Sequence, residues 1–199
     1  PYLSHDNYNL IMNQQMQNIT GTGLVQFTLE WGTEESGASA DIDSHLIGPK
    51  KDGNDVFHVY YDNDQYNVWD DSESEYIRYA DLDVDDTEYE GPEHTTIYNE
   101  TPGIYRFYIH NFSEKEEENS DKMAKSSIKV TITIGTSAYT YYCPNQAGNL
   151  WYVCDYNSIT HTIIPKNIVS TFLGSTSEIG LTEEEINLKY LESEKKLAI

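Results

Sequence analysis

From Leu24 onward, apolar and polar residues alternate along most of the chain. In Leu24-Val25-Gln26-Phe27-Thr28-Leu29-Glu30-Trp31, the residues Val25, Phe27 and Leu29 fall on one face at period two, and Gly32 ends the run. Such alternation predicts a half-buried strand. The same reading places strands at 42–47, 56–61, 76–84, 95–98, 104–110, 127–134, 138–143, 150–156 and 161–164. Turn signals separate them: Gly48-Pro49, Gly91-Pro92, Pro102-Gly103, and Gly135-Thr136-Ser137 as a tight hairpin. About ten strands with little helix between them predict an all-β fold, an antiparallel two-sheet β-sandwich rather than βαβ units.

The flanks differ. Residues 1–20 are polar and rich in Asn and Gln, and read as a linker or a short helix over 9–16. The sandwich is expected over 21–168, and a linker with a C-terminal helix over 169–199. Thr182-Glu183-Glu184-Glu185 has the form of a capping box, Thr182 capping and Glu185 reaching back. The helix predicted over 183–196 carries a thin apolar stripe, so it either docks on the sandwich or leads toward a further domain.

Charge narrows the function classes. Thirty-four acids against 12 bases give a formal net charge of −22 over 199 residues. A surface of that sign repels nucleic-acid phosphates and anionic lipid, and attracts cations. No run of about 18 apolar residues is present, so no membrane insertion is expected. The start at Pro1 reads as a piece of a larger chain. Cys143 and Cys154 flank Pro144-Asn145-Gln146-Ala147-Gly148-Asn149, which reads as a hairpin turn. That geometry admits a cross-strand disulfide or two buried thiols.

The candidate chemistry comes from strand parity. In Asp41-Ile42-Asp43-Ser44-His45-Leu46, the residues Asp41, Asp43 and His45 share one face, opposite Ile42 and Leu46. Asp is disfavoured inside strands, so two aligned with a His need a reason. The pattern recurs: His58 and Tyr60 oppose Phe57 and Val59, Asp81, Asp83 and Asp85 oppose Leu82 and Val84, and His110 lies opposite Tyr105, Phe107 and Ile109. Packed carboxylates repel unless protons or a cation relieve them. Ligation by Asp41, Asp43, Asp83 and Asp85 alone suits Ca²⁺, and inclusion of His45 and His58 favours Zn²⁺. The alternative is a set of solvated acids on half-exposed strands.

Taken together, Asp41-Ile42-Asp43-Ser44-His45-Leu46-Ile47-Gly48-Pro49, Phe57-His58-Val59-Tyr60-Tyr61, Leu82-Asp83-Val84-Asp85-Asp86-Thr87 and Gly91-Pro92-Glu93 resemble a family of bacterial β-sandwich modules of unknown function. These modules carry an Asp-x-Asp-x-His strand and a Gly-Pro-Glu loop within larger surface or secreted proteins. The resemblance covers about 24–167. It implies a sandwich and a non-catalytic role and supplies no known ligand; an extracellular or cell-surface location, with an unknown protein or glycan as partner, is the accompanying expectation. It carries over Asp41, Asp43, His45, Asp83, Asp85 and Glu93.

Two other functions stay open. Trp31, Trp69 and Trp151, read as exposed, would form a carbohydrate-binding platform. His45, His58 and Asp83 as ligands with Glu93 as general base would make a metal-dependent hydrolase, although no His-Glu-x-x-His spacing is present. No Gly-x-Ser-x-Gly elbow or phosphate-binding glycine loop occurs. Sequons stand at Asn18, Asn99 and Asn111.

Overall fold

A computed structural model describes residues 24–197, with side chains to residue 191. The short helix read over 9–16 and the Asn18 sequon lie outside the described residues. The strands are β1 (Val25–Glu30), β2 (Asp43–Pro49), β3 (Val56–Val59), β4 (Gln65–Asp70), β5 (Glu75–Leu82), β6 (Glu93–Ile97), β7 (Ile104–His110), β8 (Lys129–Ile134), β9 (Ser137–Tyr142), β10 (Leu150–Asn157) and β11 (Thr162–Ser170). They form two antiparallel sheets, ordered β4-β5-β6-β1-β8-β9 and β11-β10-β7-β2-β3. The chain is an all-β, two-sheet sandwich, closed by a C-terminal helix over Glu183–Leu197.

Alternation builds the core as expected. Val25, Phe27 and Leu29 of β1 point inward with Val130, Ile132 and Ile134 of β8, and meet Tyr105, Phe107 and Ile109 of β7. Phe27 stacks on Phe107 with ring centroids 4.3 Å apart, so the two central strands lock the sheets together. The Gly135-Thr136 turn joins Ile134 to its partner Ser137, as the hairpin signal predicts.

Several expectations shift. β4 was not foreseen: Gln65-Tyr66-Asn67-Val68-Trp69-Asp70 is a half-exposed edge strand, where Asn and Asp weaken the strand signal. β11 runs through Pro165 to Ser170, because an edge strand tolerates a residue without an N–H. Cys143 and Cys154 do not face each other across a hairpin. β9 ends in the six-stranded sheet and β10 opens in the other, so the 143–149 turn carries the chain between layers. Both cysteines are free thiols. Trp31 and Trp151 are buried, and only Trp69 is exposed, edge-on against Tyr76 at 5.1 Å. The Asn111 side chain is buried as well.

The outer face of the five-stranded sheet is also covered. The segment after β11 crosses it and ends in the C-terminal helix. Ile179 is fully buried, Tyr61 Oη bonds Thr176 Oγ1 at 3.0 Å, and Glu185 pairs with Arg106 of β7 at 2.8 Å. Gly180 lies against Tyr108 and Ile47, so close that a Cβ would sit 2.6 Å from the Tyr108 ring. The capping box forms as predicted: Glu185 N–H donates to Thr182 Oγ1 at 3.3 Å, and Thr182 N–H donates to Glu185 Oε2 at 2.7 Å. Among the described residues no helix is long and apolar enough to cross a membrane.

Candidate metal centre

The site is built around Asp43, the first residue of β2. In the β2/β7 ladder Asp43 stands opposite His110, and His45 opposite Tyr108. Equal parity puts Asp43, His45 and His110 on the outer face, beneath the C-terminal segment. They are 2%, 0% and 1% exposed. His58 of β3, paired with Ile47, joins the same face.

Register also supplies Glu93. Pairing between β2 and β3 starts only at Leu46, so the Ser44 N–H has no strand beside it. The Glu93 carboxylate fills that gap, accepting the Ser44 N–H on Oε2 at 2.9 Å, while Ser44 Oγ bonds Thr95 Oγ1 at 2.8 Å. Glu93 is wholly buried at the start of β6. The preceding Gly91 has φ 71°, and a Cβ there would lie 2.7 Å from Trp31, which explains glycine at the bend that delivers Glu93.

Two triads of potential ligand atoms result. Asp43, His45 and His110 form one, and Asp43, Asp85 and Glu93 the other; within each, the ligand atoms lie within 4.8 Å of one another. Most are buried without hydrogen-bond partners, namely Asp43 Oδ2, His45 Nε2, Glu93 Oε1 and both ring nitrogens of His110. Atoms that converge without bonding to each other have the spacing of ligands around an ion, about 2.0–2.6 Å from its centre.

A hydrogen-bond chain fixes His45. The Ser177 carbonyl can only accept, so His58 Nδ1–H donates to it at 3.3 Å. His58 Nε2 is then an acceptor and takes the His45 Nδ1–H at 2.9 Å. That leaves a bare lone pair on His45 Nε2, aimed into the first triad. This is the tautomer a metal ligand needs, held by a second layer as in most histidine–metal sites. Tyr60 stacks on His58 at 4.4 Å and on His45 at 5.5 Å, and so forms the wall behind them.

The electrostatics agree. Burial, then the neighbouring Asp41, Glu93 and Asp85 carboxylates, push the Asp43 carboxyl up to about 9. Burial also lifts Glu93 to about 8 against the pull of its Ser44 hydrogen bond. Burial, opposed by the adjacent Asp43 side chain, raises Asp41. Burial takes His58 down to about 3 and His110 to about 4, and holds His45 well below its ordinary value. The rings are therefore neutral, and the carboxylates are held in a place that favours charge only when a cation shares it.

The expected site residues sort as follows. Asp43, His45, Asp85, His110 and Glu93 converge. Asp41 borders them and lines, with Asp43, Asp85, Thr87, Tyr61 and Phe112, a cavity of about 110 Å³. His58 orients His45 rather than joining a triad. Asp83 does not contribute: β5 ends at Leu82, so Asp83 is an exposed loop residue and the parity argument for it fails. Asp81 turns to Arg78, 2.7 Å away. Ser177 acts through its backbone carbonyl, for which residue type carries no signal.

No protein-family model and no curated protein matches the sequence. The fold is similar to that of a solved structure described as an unknown function protein, SAV2460. The two share 10% identity with a TM-score of 0.52, over 79% of this chain and 94% of that chain. At that identity the likeness shows the fold alone.

Proposed function

We propose that this chain is a non-catalytic β-sandwich binding module whose loops are set by a divalent cation at Asp43. The observation that carries this reading is the convergence of buried, unpartnered ligand atoms from β2, β6 and β7 on one carboxylate. Burying such groups without partners costs about 1–3 kcal/mol each, and more for charged ones, which a bound ion removes. The ion also ties the 83–92 loop, through Asp85, to the sheet. On that side the cavity is bordered by the rings of Tyr61 and Phe112. A carboxylate or hydroxyl pair of a protein or glycan partner would complete the coordination there. The histidine side lies under the C-terminal segment, which favours a binding role over a hydrolytic one.

The test is thermal unfolding of chelated protein before and after addition of Ca²⁺ or Zn²⁺. Binding at about 100 times Kd stabilises the fold by ~2.7 kcal/mol. For a domain of this size that raises Tm by roughly 5–10 °C. An unchanged Tm, with no metal retained after dialysis, would exclude the cation.

A further inference from the structure

The two triads meet only at Asp43. Within each, the ligand atoms approach to 4.8 Å, but the histidines and the Asp85–Glu93 pair do not form one set of that spacing. Ligands around a single ion, each about 2.0–2.6 Å from it, must all lie within roughly 5 Å of one another. The two sets thus stand as two candidate ligand shells that share Asp43. The sets also differ in chemistry. His45 and His110 offer imidazole nitrogens in a fully buried place, which suits a borderline transition ion such as Zn²⁺. Asp85 and Glu93 offer oxygens, and Asp85 lines with Asp43 a cavity of about 110 Å³ that has room for water, which suits Ca²⁺ with its larger, partly hydrated shell.

Building on the cation reading above, we infer that the module holds two unlike ions, a transition ion at His45 and His110 and a hard ion at Asp85 and Glu93, bridged by the two oxygens of Asp43. Charge supports the pair. Asp41, Asp43, Asp85 and Glu93 gather four carboxylates at one end of the sandwich; two divalent ions balance them, and one leaves half the charge uncompensated. The two halves are supported independently. On the nitrogen side His45 Nε2 is oriented through His58 and the Ser177 carbonyl. On the oxygen side Glu93 is held by the Ser44 N–H, with its other oxygen unpartnered.

Metal counting on the full chain tests this. Chelated protein is loaded with Zn²⁺ and Ca²⁺ together, dialysed, and analysed for both elements. One equivalent of each is expected. His110→Gln should lose Zn²⁺ by tenfold or more in affinity while retaining Ca²⁺. Asp85→Asn should do the reverse, and Asp43→Asn should weaken both. Zn²⁺ and Ca²⁺ displacing each other at a single equivalent would overturn the two-ion inference and leave the cation reading standing. No retained ion of either kind would overturn both. Should His110→Gln fail to fold, X-ray absorption of the Zn²⁺-loaded parent chain still decides: two imidazole ligands are expected, and an all-oxygen shell would refute the assignment.

Discussion

Replacing Asp43 by Asn should change stability in opposite directions with and without metal. In the metal-free protein, burial holds the Asp43 carboxyl protonated up to about 9, against an ordinary value of 3.8. A carboxyl raised on folding favours the native state fully below its ordinary value, and that advantage is lost as pH climbs to the folded value. The loss accumulates at about 1.4 kcal/mol per pH unit, so near pH 7.5 it approaches ~5 kcal/mol. Relaxation and the linked Asp41 carboxyl reduce the part that Asn recovers to roughly 2–4 kcal/mol. Asn is nearly isosteric and cannot ionise. Asp43→Asn should therefore be more stable than the parent chain in excess chelator, by that amount in urea unfolding. With saturating metal the order should reverse, because Asn lacks the charge and the second ligating oxygen. Equal destabilisation under both conditions would refute the reasoning and make Asp43 a structural hydrogen-bonding group.

Three more outcomes are expected. The histidines should give metal-free protein an acid-sensitive arm. Their values are lowered on folding, so their contribution is intact above about 6.5 and falls away as pH drops, for His58 toward about 3 and for His110 toward about 4, with His45 lowered in the same direction, at up to ~1.4 kcal/mol per pH unit each. Carboxyl protonation masks this in the parent chain, so it should be read in the Asp43→Asn/Glu93→Gln double variant; a flat stability profile from pH 7 to 5 would contradict it. Gly180→Ala places a Cβ 2.7 Å from Ile47 Cδ1 at φ 71°, which should cost about 1–3 kcal/mol and speed proteolysis between 171 and 181; an unchanged digestion pattern would show that the segment does not depend on that contact. Burial pushes the Cys143 thiol up to about 12 and Cys154 higher still, so native protein should react slowly with a thiol reagent and two thiols should appear on denaturation, whereas none would mean a disulfide.

Much of the site was legible because strand parity is a local rule. Asp43, His45 and His110 were placed on one face from alternation alone, and the ladder then set Asp43 against His110. Asp85 reached the site for another reason than the one that selected it. Parity assumed that β5 continued past Leu82, yet Asp85 arrives on a loop, and the same assumption wrongly included Asp83. Glu93 came from the resemblance and not from periodicity, since its role depends on β3 ending before Ser44, a register event invisible in either segment. The Cys143–Cys154 hairpin failed because turn residues announce a reversal without saying which sheet receives the next strand. β4 was missed because its polar residues suit a solvent edge.

The carbonyl of Ser177 orders two imidazole protons in strands laid down more than a hundred residues earlier. During synthesis from the N-terminal end, the acidic set has all its side chains once Glu93 has left the ribosome, but His45 gains its fixed tautomer only after the segment that carries Ser177 has been made and laid across the sheet. If the proposed ion binds there, its capture on the nitrogen side should therefore wait until the 171–181 segment lies across the sheet.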